Sequence, residues 1–326
     1  MLGGITHHYS IKILRIHISQ LFCGFGRASH HKDLYYSSYS IYYRHMALWD
    51  QLGTSGDVED RRGMGGIALG GAGAIVGIIM FLALSYMGVQ VDPALLEQVT
   101  GSIGGNSQTT EQPIEFQGKD NYETFVSTVL GSTNQYWRDA LKSEGISYQD
   151  PKLVLFRDAT RSGCGVATTQ VGPHYCPLDA TIYLDETFFS VLTQLGGSNG
   201  DVAQAYVIAH EAGHHAQQVL GIMDRAQNDP AYQRSGENSL SVKLELQADC
   251  FAGLWAHSLR NRNVFQPGDI EQAIRAAEAV GDDRIQASTQ GSINPETWTH
   301  GSSADRVKAF NRGYDTGKLS ACREYM

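Results

Sequence analysis

Two short stretches of this chain carry residue types that hold a metal ion. His210-Glu211-Ala-Gly-His214 fits the pattern H-E-x-x-H. On a helix, residues i and i+4 project from the same face, so two imidazoles can converge on one ion. Glu211, one step after the first histidine, cannot join them as a ligand. It stands beside the open coordination position, where a carboxylate can take a proton from a polarised water. Some thirty residues later comes Glu245-Leu-Gln-Ala-Asp249, a second i, i+4 pair. A catalytic zinc takes three protein ligands and leaves one position open, so Glu245 is the natural third ligand. Asp249, one turn on, can accept a hydrogen bond from a ligand imidazole and fix its tautomer. The simpler alternatives are surface histidines and a solvated acidic face. Val202, Ala205, Tyr206, Ile208 and Ala209 around the first pair argue against them, as do Leu244, Leu246, Ala248, Phe251 and Trp255 around the second. Titratable groups among so many apolar neighbours need partners.

Two long helices must position these residues. Asp201 reads as the N-cap of the first, with Gln204 three residues later and the apolar run ending at Gly221. The second spans about Ser241 to Arg260. Helical periodicity also marks a segment from Tyr122 to Leu141, and Glu186–Leu195, Asp269–Val280 and Ser303–Asn311. Lys152–Arg157 and Ala180–Asp185 are short, apolar and β-prone, and the latter is expected to present an edge to which an extended peptide could add. Residues 121–326 therefore read as one α+β domain, mainly helical with a small sheet.

The rest of the chain has a different character. Residues 1–45 carry five Lys/Arg against one acid and show no sustained periodicity; they read as a non-native or disordered extension ahead of Met46. Residues 46–63 read as a short cytoplasmic segment. From Met64 to Val89 there is no charged residue, and the length suits a transmembrane helix. Arg61 and Arg62 before it and Asp92 after it orient the C-terminal domain outside the cytoplasmic membrane. Residues 90–120 form a polar, Gly-rich linker. The net charge of −9 and the absence of a long basic stripe exclude nucleic acid as the main partner. Outside the cytoplasm Cys164, Cys176, Cys250 and Cys322 should pair. Of three connectivities, Cys164–Cys176 with Cys250–Cys322 is the expected one; a rival grouping makes Cys164, Cys176 and His174 a second metal site.

Longer motifs surround these residues: W-D and V-E-D-R-R-G within 49–63, the Gly-rich apolar segment, S-G-C-G…Y-C-P, H-E-A-G-H-H-A-Q, L-E-L-Q-A-D-C-F-A-G, and T-H-G-S-S-A-D-R-V-K-A-F-N-R-G-Y. Over residues 46–326 they resemble the YpfJ-like neutral zinc metallopeptidase family, of gluzincin type. The resemblance implies a zincin-like α+β domain behind one transmembrane helix, in a single-pass protein of the inner membrane with its C-terminal domain periplasmic. It implies Zn2+ on His210, His214 and Glu245, Glu211 as general base, and a peptide or protein substrate. Gluzincins often bring an oxyanion donor from beyond the third ligand, which points to His300, with Tyr314 second; His215 and His257 read as structural. The alternatives are a zinc-binding envelope adaptor or chaperone without catalysis, and an amidase acting on cell-wall peptide.

Overall fold

The first long helix, α1 (Asn121–Lys142), starts from a reciprocal cap. The Asp120 carboxylate accepts the Glu123 N–H at 2.7 Å, and the Glu123 carboxylate accepts the Asp120 N–H at 3.2 Å. Two N–H groups that a helix start leaves without partners are thereby satisfied. Val126, Val129, Leu130, Trp137 and Leu141 bury one face of α1. The computed structural model describes residues 47–62 and 120–325.

Among the described residues six strands follow the chain order β1 (Val58–Asp60), β2 (Lys152–Phe156), β3 (Ala159–Ser162), β4 (Gly165–Thr168), β5 (His174–Cys176) and β6 (Thr181–Asp185). The main sheet has the order β1-β2-β6-β5. Its first three strands are parallel, and β5 runs antiparallel to β6, with His174 opposite Tyr183 and Cys176 opposite Thr181. β3 and β4 form a separate hairpin. All five residues of β6 are buried, as a strand with neighbours on both sides requires. The segment read as a free edge is thus central, and the edges of the sheet are β1 and β5. A short apolar run does not reveal which of its sides is paired.

The helices are α2 (Phe188–Gln194), α3 (Asp201–Val219), α4 (Ile222–Gln227), α5 (Leu240–Ser258), α6 (Asp269–Ala279), α7 (Asp282–Gln290) and α8 (Ser303–Thr316). α5 is sandwiched between α3 and α8, and glycines allow the close approach. A Cβ on Gly253 would lie 2.1 Å from the Phe310 carbonyl oxygen, and one on Gly313 2.0 Å from that of Cys250. Gly213, inside the H-E-x-x-H stretch, faces the α5 backbone at Ala248. The Cys250–Cys322 disulfide ties the C-terminus to α5, and Cys164–Cys176 ties the β3–β4 hairpin to β5. Both are the expected pairings, and they leave no thiols for a second metal site with His174.

Residues 47–62 belong to this same unit. Val58, Glu59 and Asp60 pair in register with Leu153, Val154 and Leu155. Trp49 stacks on Trp255 with ring centroids 6.3 Å apart and meets Phe125 and Phe265 edge-on. This corrects the expected membrane topology. A single crossing within 64–89 would put residues 47–62 and 120–325 on opposite sides of a bilayer, whereas they share one sheet and one core. The segment 64–89 itself lies outside the described residues, as do the extension 1–45 and nearly all of the linker. Among the described residues no helix is long and apolar enough to cross a membrane. Over the described residues the fold is therefore α+β, mainly helical with a small sheet and with no membrane-spanning helix among them. Apolar length alone misled, because it carries no information on whether the flanking segments pair.

A smaller correction concerns Asp201. The N-cap of α3 is Gly200, and Asp201 occupies the first helical position. Its carboxylate turns instead to the N-terminal segment, accepting hydrogen bonds from Ala47 N at 2.8 Å and Trp49 Nε1 at 2.6 Å.

Candidate metal centre

Helix α3 places His210 and His214 one turn apart, and α5 brings Glu245 opposite them. The Nε2 atoms of the two histidines are 3.2 Å apart, and the Glu245 carboxylate lies 3.2 Å from one and 3.3 Å from the other. One donor atom from each residue falls within 4.8 Å of the others, a single cluster of two imidazoles and one carboxylate. Such a set suits a tetrahedral ion with its fourth position open.

The other ring nitrogens are fixed from behind. His210 Nδ1 donates to Asp249 Oδ1 at 2.8 Å, because an ionised carboxylate only accepts. His214 Nδ1 faces Gln217 Oε1 at 2.9 Å. The Gln217 amide is oriented in turn, donating to the Leu244 carbonyl at 2.8 Å and to Gln247 Oε1 at 3.1 Å. Both rings are therefore held with Nε2 toward the cluster. Asp249 is wholly buried and takes three further hydrogen bonds, one from Tyr206 Oη at 2.5 Å and two from Arg306, at 2.9 and 3.1 Å. The Arg306 guanidinium also stands 3.7 Å from Glu245, so one buried cation serves both acids of α5.

These charges set the protonation states. Burial works against a charged His210, yet Asp249 and Glu245 outweigh it and push the imidazole up to about 10. Burial likewise opposes ionisation of Glu245, but the histidines across from it hold its carboxyl well below the usual range. Asp249 is lowered against burial by Arg306 and His210. The cluster without metal thus carries a proton on His210 that an arriving cation must displace.

Glu211 is buried, yet among the described residues its carboxylate has no hydrogen-bond or ionic partner. It lines a cavity of about 820 Å³ together with His210, His214, Glu245 and His300. The cavity wall also includes the segment from Thr169 to Tyr175, which contains the start of edge strand β5. His300 sits in the loop before α8 with its side chain 52 % exposed. Asp282, at the start of α7, pins this loop: Oδ2 accepts the N–H groups of Thr299, His300 and Gly301 at 2.8, 2.6 and 2.9 Å. Oδ1 lies 3.4 Å from His300 Nδ1. Partial desolvation works against a charged His300, but Asp282 and Glu245 raise its pKa. Tyr314 is not on the cavity wall; its ring lies under Arg260 at 3.9 Å. His257 bonds the Tyr314 carbonyl, and His215 is engaged at both nitrogens by Tyr175 and Gln149.

Sequence reasoning missed Gln217, Arg306 and Asp282. Gln217 could have been found, since it lies three residues after His214 on the same face. Arg306 and Asp282 act across the fold, and no local spacing marks them.

The chain matches, over residues 47–325, the profile of a family described as "Putative neutral zinc metallopeptidase". The chain belongs to that family. It is similar to the uncharacterized protein YpfJ of Escherichia coli K12, 39% identical over 293 residues that cover 85% of this chain and 98% of that protein. It is also similar to the uncharacterized proteins Mb2605 of Mycobacterium bovis and Rv2575 of Mycobacterium tuberculosis. Each is 45% identical over 202 residues, covering 59% of this chain and 66% of the relative. No solved structure matches it. The metal of the zinc metallopeptidase family is Zn2+, and the His210, His214 and Glu245 donor set fits it.

Proposed function

We propose that this protein hydrolyses peptide bonds in the cavity beside α3, with His210, His214 and Glu245 holding the zinc ion. When bound, zinc supplies Lewis-acid polarisation of a water molecule and of the scissile carbonyl. The chain's own residues do the rest. The observation that carries the reading is Glu211: a carboxylate in the cavity wall, beside the donor cluster, with no partner among the described residues to consume its basicity. Glu211 takes a proton from the attacking water and delivers it to the leaving amine. His300, its pKa raised by Asp282 and Glu245, lines the same cavity and donates to the oxygen on which charge develops. Asp282 keeps that ring in place. β5, paired on one side only, offers an edge along which an extended substrate can lie. Two disulfides among the described residues favour work in an oxidising compartment.

The test is Glu211→Gln beside the unaltered chain. Both should bind one zinc ion per chain, while cleavage of a peptide library falls about 10³-fold in the variant. If both bind zinc and neither cleaves, the domain is a zinc-binding module rather than a peptidase. If peptidoglycan fragments are cleaved and proteins are not, it is a cell-wall amidase.

A further inference from the structure

The hydrogen bond that holds His214 is the first link of a buried series that ends near the C-terminus. His214 Nδ1 faces Gln217 Oε1 at 2.9 Å, and Gln217 Nε2 donates to Gln247 Oε1 at 3.1 Å. Gln247 Nε2 donates in turn to the Cys322 carbonyl at 3.1 Å. Gln217, Gln247 and Cys322 are each no more than 1% exposed. Gln247 stands between Glu245 and Asp249 in the sequence of α5. Three residues after it, Cys250 forms the disulfide that brings Cys322 to this helix.

The far end of the series has a fixed polarity, and that decides every amide before it. A main-chain carbonyl carries no proton, so the Cys322 oxygen admits only the NH2 side of Gln247. The Gln247 oxygen then faces Gln217, where it accepts. Gln217 presents its NH2 to two oxygens, Gln247 Oε1 and the Leu244 carbonyl at 2.8 Å. Its own oxygen is left for His214, and only Nδ1–H can meet it. Nε2 is thereby left with its lone pair toward Glu245 and His210. Turning the Gln247 amide over would set oxygen against oxygen at Cys322 and NH2 against NH2 at Gln217. In a buried site such mismatches are costly.

We propose that Gln247 is a positioning residue for the metal ligand His214, acting through Gln217, and that the C-terminal segment Leu319–Tyr325 supplies the carbonyl that sets its direction. The metal centre is then completed by the last residues of the chain. Closure of the Cys250–Cys322 disulfide fixes the carbonyl, and zinc binding gains from it. The inference rests on the proposed ligand set and is independent of catalysis.

The test is a set of zinc affinities, measured by competition with a chelating dye on the full chain and its variants. Gln217→Met should weaken binding about 10- to 100-fold. Gln247→Met, similar in length but apolar, should weaken it about fivefold, the worth of one neutral hydrogen bond. Because Gln247 acts through Gln217, the double variant should bind no more weakly than Gln217→Met alone. Losses that multiply would make Gln247 a packing residue and overturn the proposal, as would an unchanged affinity in Gln247→Met. Replacing Cys250 and Cys322 together by alanine keeps the carbonyl but frees it. Affinity should then fall by up to about fivefold, and no further when Gln247→Met is added. Equal affinity with and without the disulfide would overturn the part assigned to the C-terminal segment. Urea unfolding of the metal-free samples separates this coupling from plain loss of stability. Where a variant fails to fold, nitrogen NMR of the unaltered, zinc-loaded chain decides. The His214 ring proton is expected on Nδ1, and a proton on Nε2 overturns the arrangement. A His214 ring whose signals do not move when zinc is added would overturn the ligand set, and the proposal with it.

Discussion

The two faces of α3 carry the same residue type to opposite ends. His214 and His215 are neighbours in sequence. His214 is held at Nδ1 by Gln217 and turns Nε2 toward Glu245 and His210. His215 points the other way. Its Nε2 donates to the Gln149 carbonyl at 2.7 Å, so Nδ1 must accept from Tyr175 Oη, at 2.9 Å. Burial lowers the pKa of His215 and keeps it neutral, whereas carboxylates override burial at His210. An imidazole with one nitrogen anchored and one facing other donors can hold a metal; one with both nitrogens engaged is a strut. Here the strut joins α3 to β5, the strand that lines the cavity, so the structural face positions what the chemical face acts on.

The contrast can be broken from either side. The largest effect belongs to His214→Ala, which removes one of three donors. Taking roughly a third of a structural-zinc binding energy of about 12 kcal/mol, zinc affinity should fall about 10³-fold, measured by competition with a chelating dye. A variant that binds zinc as before would remove His214 from the ligand set. Asp249→Asn acts one step back, leaving His210 without its anionic acceptor. The same titration should show a loss of about 10- to 100-fold. A third measurement varies pH instead of sequence. His210 without metal holds its proton up to about 10, so each pH unit gained between 6.5 and that value should raise apparent zinc affinity about tenfold. The linkage for stability has the opposite sign. The raised pKa stabilises the metal-free fold fully below 6.5, and that contribution is lost as pH climbs toward 10. The gap in melting temperature between zinc-loaded and metal-free protein should therefore widen over this range. His215→Ala is the smallest change and sharpens the comparison most. It leaves the buried Tyr175 hydroxyl and the Gln149 carbonyl without their partner, so stability should drop by about 1 to 2 kcal/mol in urea unfolding while zinc affinity stays unchanged. A matching loss of zinc would mean that the two faces are not separable.

Much of the centre was legible before any fold was known, because its parts are local. The spacing of His210 and His214, and of Glu245 and Asp249, puts each pair on one face of a helix whatever surrounds it, and the apolar neighbours announce burial. The short loop between Cys164 and Cys176 favoured their pairing, and with it that of Cys250 and Cys322. What failed was non-local. Asp201 suits a helix cap by residue type, but Trp49 and Ala47 claim its carboxylate from 150 residues away. The apolar run 64–89 has the length of a membrane span, but β1 pairs with β2 beyond it and excludes a single crossing.

The sequence by itself determined which residues share a helical face, since a fixed rise and turn per residue translate spacing into direction. Only the tertiary structure decided which faces meet. Gly213, Gly253 and Gly313 let α5 lie against both α3 and α8, and that contact brings Glu245 to the histidines and Arg306 to Asp249. The pairing of β1 likewise places the N-terminal segment with the domain. Such contacts depend on the shapes and charges of segments far apart in the chain, and no local period encodes them.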